Sequence, residues 1–220
     1  MKTWAIVVAA GDGARFGAAK QFAQLGDATV VDRAARVAHD ACDGVVVVLP
    51  AEVRWDGPGD VLQTVGGATR SDSVRAGLAL VPDDADIVVV HDAARPLASA
   101  QLFERVVQAV AAGADAAVPA LPVSDTLKRV THDRVVETVP REGLVSVQTP
   151  QAFRAGVLRA AHEIGGIDTD DAALVEANGG TVRIVEGERG NLKLTLADDL
   201  DFARALLDGT PAVAAESGQE

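Results

Sequence analysis

Residues 7–22 read VVAAGDGARFGAAKQF, an apolar run that breaks into Gly11, Gly13 and Gly17 with Arg15 and Lys20 among them. Glycine has no Cβ and tolerates positive φ, so a strand running into such a turn leaves backbone N–H groups bare where a phosphate can approach. Two familiar phosphate loops fit poorly. The dinucleotide fingerprint has G-x-G-x-x-G opening directly into a helix, whereas here three residues separate Gly13 from Gly17 and Asp12 would crowd an anion. A P-loop requires G-K-[ST], but Lys20 lies between Ala19 and Gln21. What remains is AAG-x-G-x-R-x-G-x-x-K-Q-F, and its alternative is an ordinary surface turn with two solvated cations.

Other segments carry chemistry of the same kind. Lys2, Lys20, Lys128 and Lys193 are the only lysines in a chain that otherwise uses arginine. Lys193, in RGNLKLT, stands on a sheet-end loop from which it could be aimed at Lys20. Compact ammonium groups suit phosphoryl oxygens whose charge grows during reaction. Residues 88–96, VVVHDAARP, end a buried strand at Asp92, and open α/β sheets bind ligands outside the carboxyl ends of their strands. One carboxylate plus triphosphate oxygens suffices for Mg²⁺, which makes Asp92 the candidate metal ligand. The competing reading is an Asp92–Arg95 ion pair capping the strand, and His91 reads as structural. Residues 65–74, VGGATRSDSV, place a glycine turn before a helix start, whose amides could read a base edge or face a phosphate, or serve only as a helix capped by Ser71 or Ser73.

The elements that must position these residues are visible in the apolar pattern. AIVVAA, GVVVVLP, DIVVVHD and ADAAVPAL are continuous apolar runs, the mark of strands covered on both faces, and amphipathic helical segments separate them. The fold class is therefore α/β: a Rossmann-like, mostly parallel sheet flanked by helices, in a single domain over residues 1–208. A helix after Ser99 closes at Gly113. From Leu121 to Pro150 apolar and polar residues alternate about a polar turn near 131–134, which reads as a projecting β-hairpin, an arm over residues 122–148. Its apolar surface predicts packing against another chain. Thr126 and Arg141 lie on its opposite sides, and Thr169 is placed to cap a helix with two acids in its first turn. Read singly, these three are structural. A strand TVRIVEG and a last helix entered through Thr195 and Asp198 follow, and residues 209–220 read as a disordered tail.

Composition limits the partners. A net charge of -12 argues against nucleic acid or an anionic membrane surface. Cys42 is the single cysteine and sits in no metal or redox spacing, which suits the cytoplasm. The start has no secretory leader pattern, and no apolar stretch is long enough to span a bilayer.

Taken together and in this order, the glycine loop, HDAARP, TPQ and N-x-K-x-T segments resemble the 2-C-methyl-D-erythritol 4-phosphate cytidylyltransferase family over residues 5–207. The resemblance implies transfer of CMP from CTP to 2-C-methyl-D-erythritol 4-phosphate with release of pyrophosphate, aided by Mg²⁺ or another divalent cation. It implies CTP binding by Ala9, Ala10, Gly11, Gly13, Lys20, Gly67, Ser73, Asp92, Ala93 and Lys193, with Asp92 beside the metal. Arg15, Lys20, Arg141 and Lys193 take the catalytic roles. Arg95, Thr126, Arg141 and Thr169 surround the methylerythritol phosphate, some reaching over from the partner of a homodimer formed by the arm. Relatives usually have proline where this chain has Ala19, so the loop is expected to be less rigid before substrate binds. Some relatives are fused to a cyclodiphosphate synthase; the chain's end soon after Leu207 predicts a single function. A ribitol 5-phosphate cytidylyltransferase is the nearest rival, and a non-catalytic nucleotide-binding regulator is the rival of a different class.

Overall fold

The structure is a computed structural model and describes residues 1–11, 19–164 and 170–209. In chain order its elements are β1 (Thr3–Val8), a 3-10 turn (Lys20–Phe22), β2 (Gln24–Leu25), β3 (Ala28–Thr29), α1 (Val30–Ala41), β4 (Gly44–Leu49), β5 (Leu62–Val65) and α2 (Arg70–Leu78). There follow β6 (Ile87–Asp92), α3 (Ala100–Ala111), β7 (Ala116–Pro122), β8 (Leu127–Thr131), β9 (Arg134–Val139), β10 (Val145–Val147) and β11 (Gln151–Arg154). The chain closes with α4 (Ala155–Ile164), α5 (Asp171–Ala177), β12 (Val182–Glu186) and α6 (Asp199–Leu207).

Among the described residues the main sheet has eight strands in the order β10-β7-β11-β6-β1-β4-β5, with β12 paired to β7. The strands β1, β4, β5 and β6 run parallel, as do β7 and β12, which bears out the mostly parallel reading. Two strands depart from it: β11 lies antiparallel between β6 and β7, and β10 pairs antiparallel with β7. Successive side chains point to opposite faces, so Ala5 and Val7 of β1 join the layer with α1 and α3, while Ile6 joins the layer with α2, α4 and α5. Both faces are covered, which is why the strands are apolar without alternation. A third small core of Leu25, Val30, Leu194 and Ala203 pins the segment after β12 against α1 and α6.

The helix starts differ from expectation in three places. The N-cap of α2 is Thr69, in a capping box with Asp72, because Ser71 and Ser73 already lie inside the helix. The cap of α5 is Asp170, whose side chain accepts from the amide of Ala173, with Asp171 the acid in its first turn; Thr169 lies outside the described residues. Asp198 gives α6 no side-chain cap, and it is Asp199 that accepts from the amides of Thr195 and Leu196, at 2.6 and 2.7 Å. Ser99 caps α3 as expected, and Gly113 follows that helix at φ +114°. The capping box Thr29–Asp32 opens α1. Replacing Thr29 by alanine should cost about 1 kcal/mol. In thermal melts that is a midpoint lower by ~2–4 °C for a chain of this size, and an unchanged midpoint would contradict the cap's contribution.

Strands β8 and β9 form a separate two-stranded ribbon whose turn contains His132 at φ +56°, so the expected hairpin is present with its turn in the expected place. Most of it is exposed, Val130, Val135 and Val136 included. Burial pushes the Cys42 thiol up to about 12, which leaves it unreactive. Among the described residues no helix is long and apolar enough to cross a membrane.

Candidate active site

The carboxyl ends of β1, β5 and β6 open onto a cleft of about 530 Å³. Residues 8–11 leave β1, residues 67–70 lead into α2, residues 92–94 leave β6, and Lys20, Lys193 and Thr195 complete its wall. Short contacts fix these segments to one another: the amide of Ala9 donates to Val48 at 2.8 Å, that of Gly66 to Leu49 at 2.8 Å, and that of Ala93 to Val8 at 3.0 Å. A Cβ on Gly66 would lie 2.3 Å from the Cβ of Ala10, and one on Gly67 2.2 Å from the Cβ of Asp72, so only glycine lets these loops close. The Ser73 hydroxyl accepts from the amide of Gly67 and donates to the carbonyl of Thr69, so it holds the turn together from inside the helix.

Lys20 and Lys193 share this cleft. The ammonium of Lys20 donates at 2.6 Å to the carbonyl of Leu194, the residue after Lys193 and 174 positions away in sequence. Lys193 Nζ donates at 2.7 Å to Asp92 Oδ2, and Arg70 Nε donates at 3.1 Å to Asp92 Oδ1. Burial disfavours the Asp92 charge, but the Arg70 guanidinium and then Lys193 outweigh it and hold the carboxyl well below the usual carboxylate range. Arg70 in turn reaches Asp171 Oδ2 at 2.7 Å; its burial is likewise outweighed by the two carboxylates, which raise its pKa further.

The loop bearing Lys193 is clamped rather than loose. Gln148 Oε1 accepts from the amide of Glu188 at 3.0 Å and from Asn191 Nδ2 at 3.3 Å, and Asn191 Nδ2 also donates to the carbonyl of Thr149 at 2.8 Å. The Thr149 hydroxyl accepts from the amide of Asp92 at 3.0 Å, tying the TPQ segment to the end of β6. His91 is fully buried against Phe103, and burial lowers its pKa to about 4. It is therefore neutral, with Nε2 donating to the carbonyl of Arg95 and Nδ1 accepting from Thr149, which makes it structural as expected.

Every described member of the nucleotide set lines the cleft: Ala9, Ala10, Gly11, Lys20, Gly67, Ser73, Asp92, Ala93 and Lys193. Gly13, Arg15 and Thr169 lie outside the described residues. Arg95 does not pair with Asp92, correcting the strand-cap alternative; its guanidinium donates instead to the carbonyls of Asn191 and Val147, at 2.8 and 3.3 Å. Thr126 and Arg141 are exposed at the base of the hairpin, where Arg141 donates to the carbonyl of Ser124, and neither lines the cleft of its own chain. Sequence reasoning passed over Arg70 and Asp171. A signal was there: an arginine at the first position of α2 opposes the helix dipole and so calls for an acidic partner.

Known proteins are similar to this chain over nearly its whole length. The family model described as 2-C-methyl-D-erythritol 4-phosphate cytidylyltransferase matches residues 3–209. The 2-C-methyl-D-erythritol 4-phosphate cytidylyltransferase of Rhodococcus jostii is 47% identical over 214 residues, covering 93% of this chain and 94% of that protein. The bifunctional enzyme IspD/IspF of Anaeromyxobacter dehalogenans is 47% identical over 224 residues, covering 94% of this chain but only 57% of the fused protein. The crystal structure of 2-C-methyl-D-erythritol 4-phosphate cytidylyltransferase from Thermus thermophilus superposes with a TM-score of 0.82 at 36% identity, over 92% of this chain and 98% of that one. With a family match over residues 3–209, a relative 47% identical along nearly its whole length and a solved structure of the same fold, the chain belongs to the 2-C-methyl-D-erythritol 4-phosphate cytidylyltransferase family.

Proposed function

We propose that the cleft binds the CTP triphosphate between Lys20 and Lys193 while the polyol phosphate enters beside it. As a cytidylyltransferase of isoprenoid precursor synthesis, the protein transfers CMP from CTP to 2-C-methyl-D-erythritol 4-phosphate, giving 4-diphosphocytidyl-2-C-methyl-D-erythritol and pyrophosphate. A phosphate oxygen of the polyol attacks the α-phosphorus, a new P–O bond forms, and the bond to the β-phosphate breaks. Two anions must meet, so alignment and neutralisation supply most of the catalysis and no covalent nucleophile is needed. The observation that carries this reading is the hydrogen bond from Lys20 to Leu194, which gathers two cations from the two ends of the chain into one cleft.

Lys20 and Arg15 take up charge on the reacting phosphoryl group, and Lys193 moves from Asp92 to the phosphates. Among the described residues no three His, Cys, Asp or Glu side chains could cage a metal ion. The ionised Asp92 carboxylate at the cleft fits Mg²⁺ as a single protein ligand, the rest of the shell coming from triphosphate oxygens and water. Bound there, Mg²⁺ supplies charge neutralisation to the phosphates.

Arg95, Thr126, Arg141 and Thr169 are assigned to the polyol phosphate, with Arg141 and Lys193 on its phosphate group. Because Thr126 and Arg141 sit on the exposed hairpin, their roles require a second subunit. The exposed valines of β8 and β9 favour a homodimer built by this arm. Sedimentation at micromolar concentration should show a dimer; a fully active monomer would contradict the shared site. The single cysteine suits a reducing compartment, the cytoplasm. The deciding assay is pyrophosphate release from CTP and Mg²⁺ with each polyol phosphate. Release with 2-C-methyl-D-erythritol 4-phosphate supports the proposal, preference for ribitol 5-phosphate supports the rival, and release with neither points to a nucleotide-binding regulator.

A further inference from the structure

We infer that Arg70 is a positioning residue: braced from behind by Asp171, it keeps the Asp92 carboxylate aimed into the cleft when Lys193 leaves it for the triphosphate. The inference rests on Asp92 being the metal-binding carboxylate. The four side chains form a line of alternating charge from the interior to the cleft: Asp171, Arg70, Asp92, Lys193. Asp171 is fully buried, and both its oxygens are committed, Oδ2 to Arg70 and Oδ1 to His162 Nε2 at 3.0 Å. His162 lies on α4 and Asp171 opens α5, so the brace is anchored in two helices that pack on one face of the sheet.

The chemistry explains why an arginine stands at this point. Its planar fork offers Nε to one carboxylate and Nη1 to the other at fixed angles, a span that a single ammonium cannot cover. Lys193, by contrast, has a half-exposed side chain on a long stem and can swing to a phosphate. If Lys193 were the sole partner of Asp92, its departure would leave a buried carboxylate unpaired, which is strongly unfavourable. With Arg70 behind it, Asp92 keeps one charge-assisted hydrogen bond throughout and presents its remaining lone pairs to the cleft. Outer partners of a metal-binding carboxylate act in this way, orienting it without touching the ion.

Arg70 also lines the cleft, so contact with the nucleotide itself is the competing explanation, and equilibrium binding separates the two. CTP is titrated calorimetrically into the full chain in saturating Mg²⁺ and again in EDTA, for the parent, Arg70→Gln, Asp92→Asn and the double variant Arg70→Gln/Asp171→Asn. The expected result is that Arg70→Gln erodes the Mg²⁺-dependent gain in CTP affinity on the order of 10-fold or more, with little change in EDTA. The double variant removes the arginine together with its buried counter-charge, and gives the same result if Arg70→Gln alone folds poorly. An equal loss with and without Mg²⁺ would overturn the inference in favour of direct contact, and an undiminished Mg²⁺ gain would overturn it outright. Should Asp92→Asn keep the full Mg²⁺ gain, it is the metal reading of Asp92 that fails; loss there with retention in Arg70→Gln sinks only the role of Arg70.

Discussion

Replacing Lys193 by alanine should lower kcat by roughly 100- to 1,000-fold, the usual cost of removing a pre-set charge partner from a transition state, while the fold survives. Survival follows from the scaffold: the loop is held by Gln148, Asn191 and Thr149, and Asp92 keeps Arg70 when the ammonium is gone. Lys20→Ala should show a loss of similar size, since its ammonium faces the same cleft from the opposite end of the chain, and Arg15→Ala at least roughly 100-fold. If Lys20 and Lys193 act on one triphosphate, the double variant loses less than the product of the single losses, as residues working as a unit do. Pyrophosphate release at saturating substrate measures kcat, and circular dichroism checks the fold. Unchanged turnover in any single variant removes that residue from catalysis.

Asp92→Asn should damage stability and activity together. The substitution keeps the shape but deletes the negative charge that Arg70 and Lys193 share. Breaking such a buried arrangement costs about 3 kcal/mol, because the remaining charges lose their compensation. The thermal midpoint should fall well beyond the Thr29→Ala shift, and kcat should fall by roughly 100-fold or more as the charge arrangement around the phosphates is lost. A variant as stable and as fast as the parent would mean that the carboxylate's charge serves neither purpose.

The parallel part of the sheet was legible because Val45 to Val48 and Val88 to Val90 are buried on both faces, and burial on both faces forces an unbroken apolar run. Strand β11 was not, since Gln151–Arg154 contains no β-branched residue and its place between β6 and β7 is a tertiary pairing without local signature. Caps were misplaced by one to four residues because Ser71, Ser73 and Asp198 have the right chemistry next to the residue that performs it; backbone geometry selects among neighbours of similar type.

The nucleotide side of the site was readable from glycine, lysine and aspartate at strand ends, positions the sheet brings together by topology alone. The buried line through Arg70 and Asp171 was not, because residues 101 positions apart meet only when the fold brings the first residues of α2 and α5 within reach of each other and of the end of β6. Thr126 and Arg141 carried no chemical signal in their spacing, and within one chain they stay on the exposed hairpin away from the cleft. Their assignment to the polyol phosphate depends on a second subunit, which no pattern along a single chain displays.

The most direct test is a crystal structure of the protein with an unreactive CTP analogue and Mg²⁺. The predicted result has the ammonium groups of both Lys20 and Lys193 within hydrogen-bonding distance of the triphosphate, with Lys193 released from Asp92 and Arg70 still bound to it. A triphosphate seated elsewhere, or touched by neither ammonium group, would contradict the claim that these two cations meet on the nucleotide.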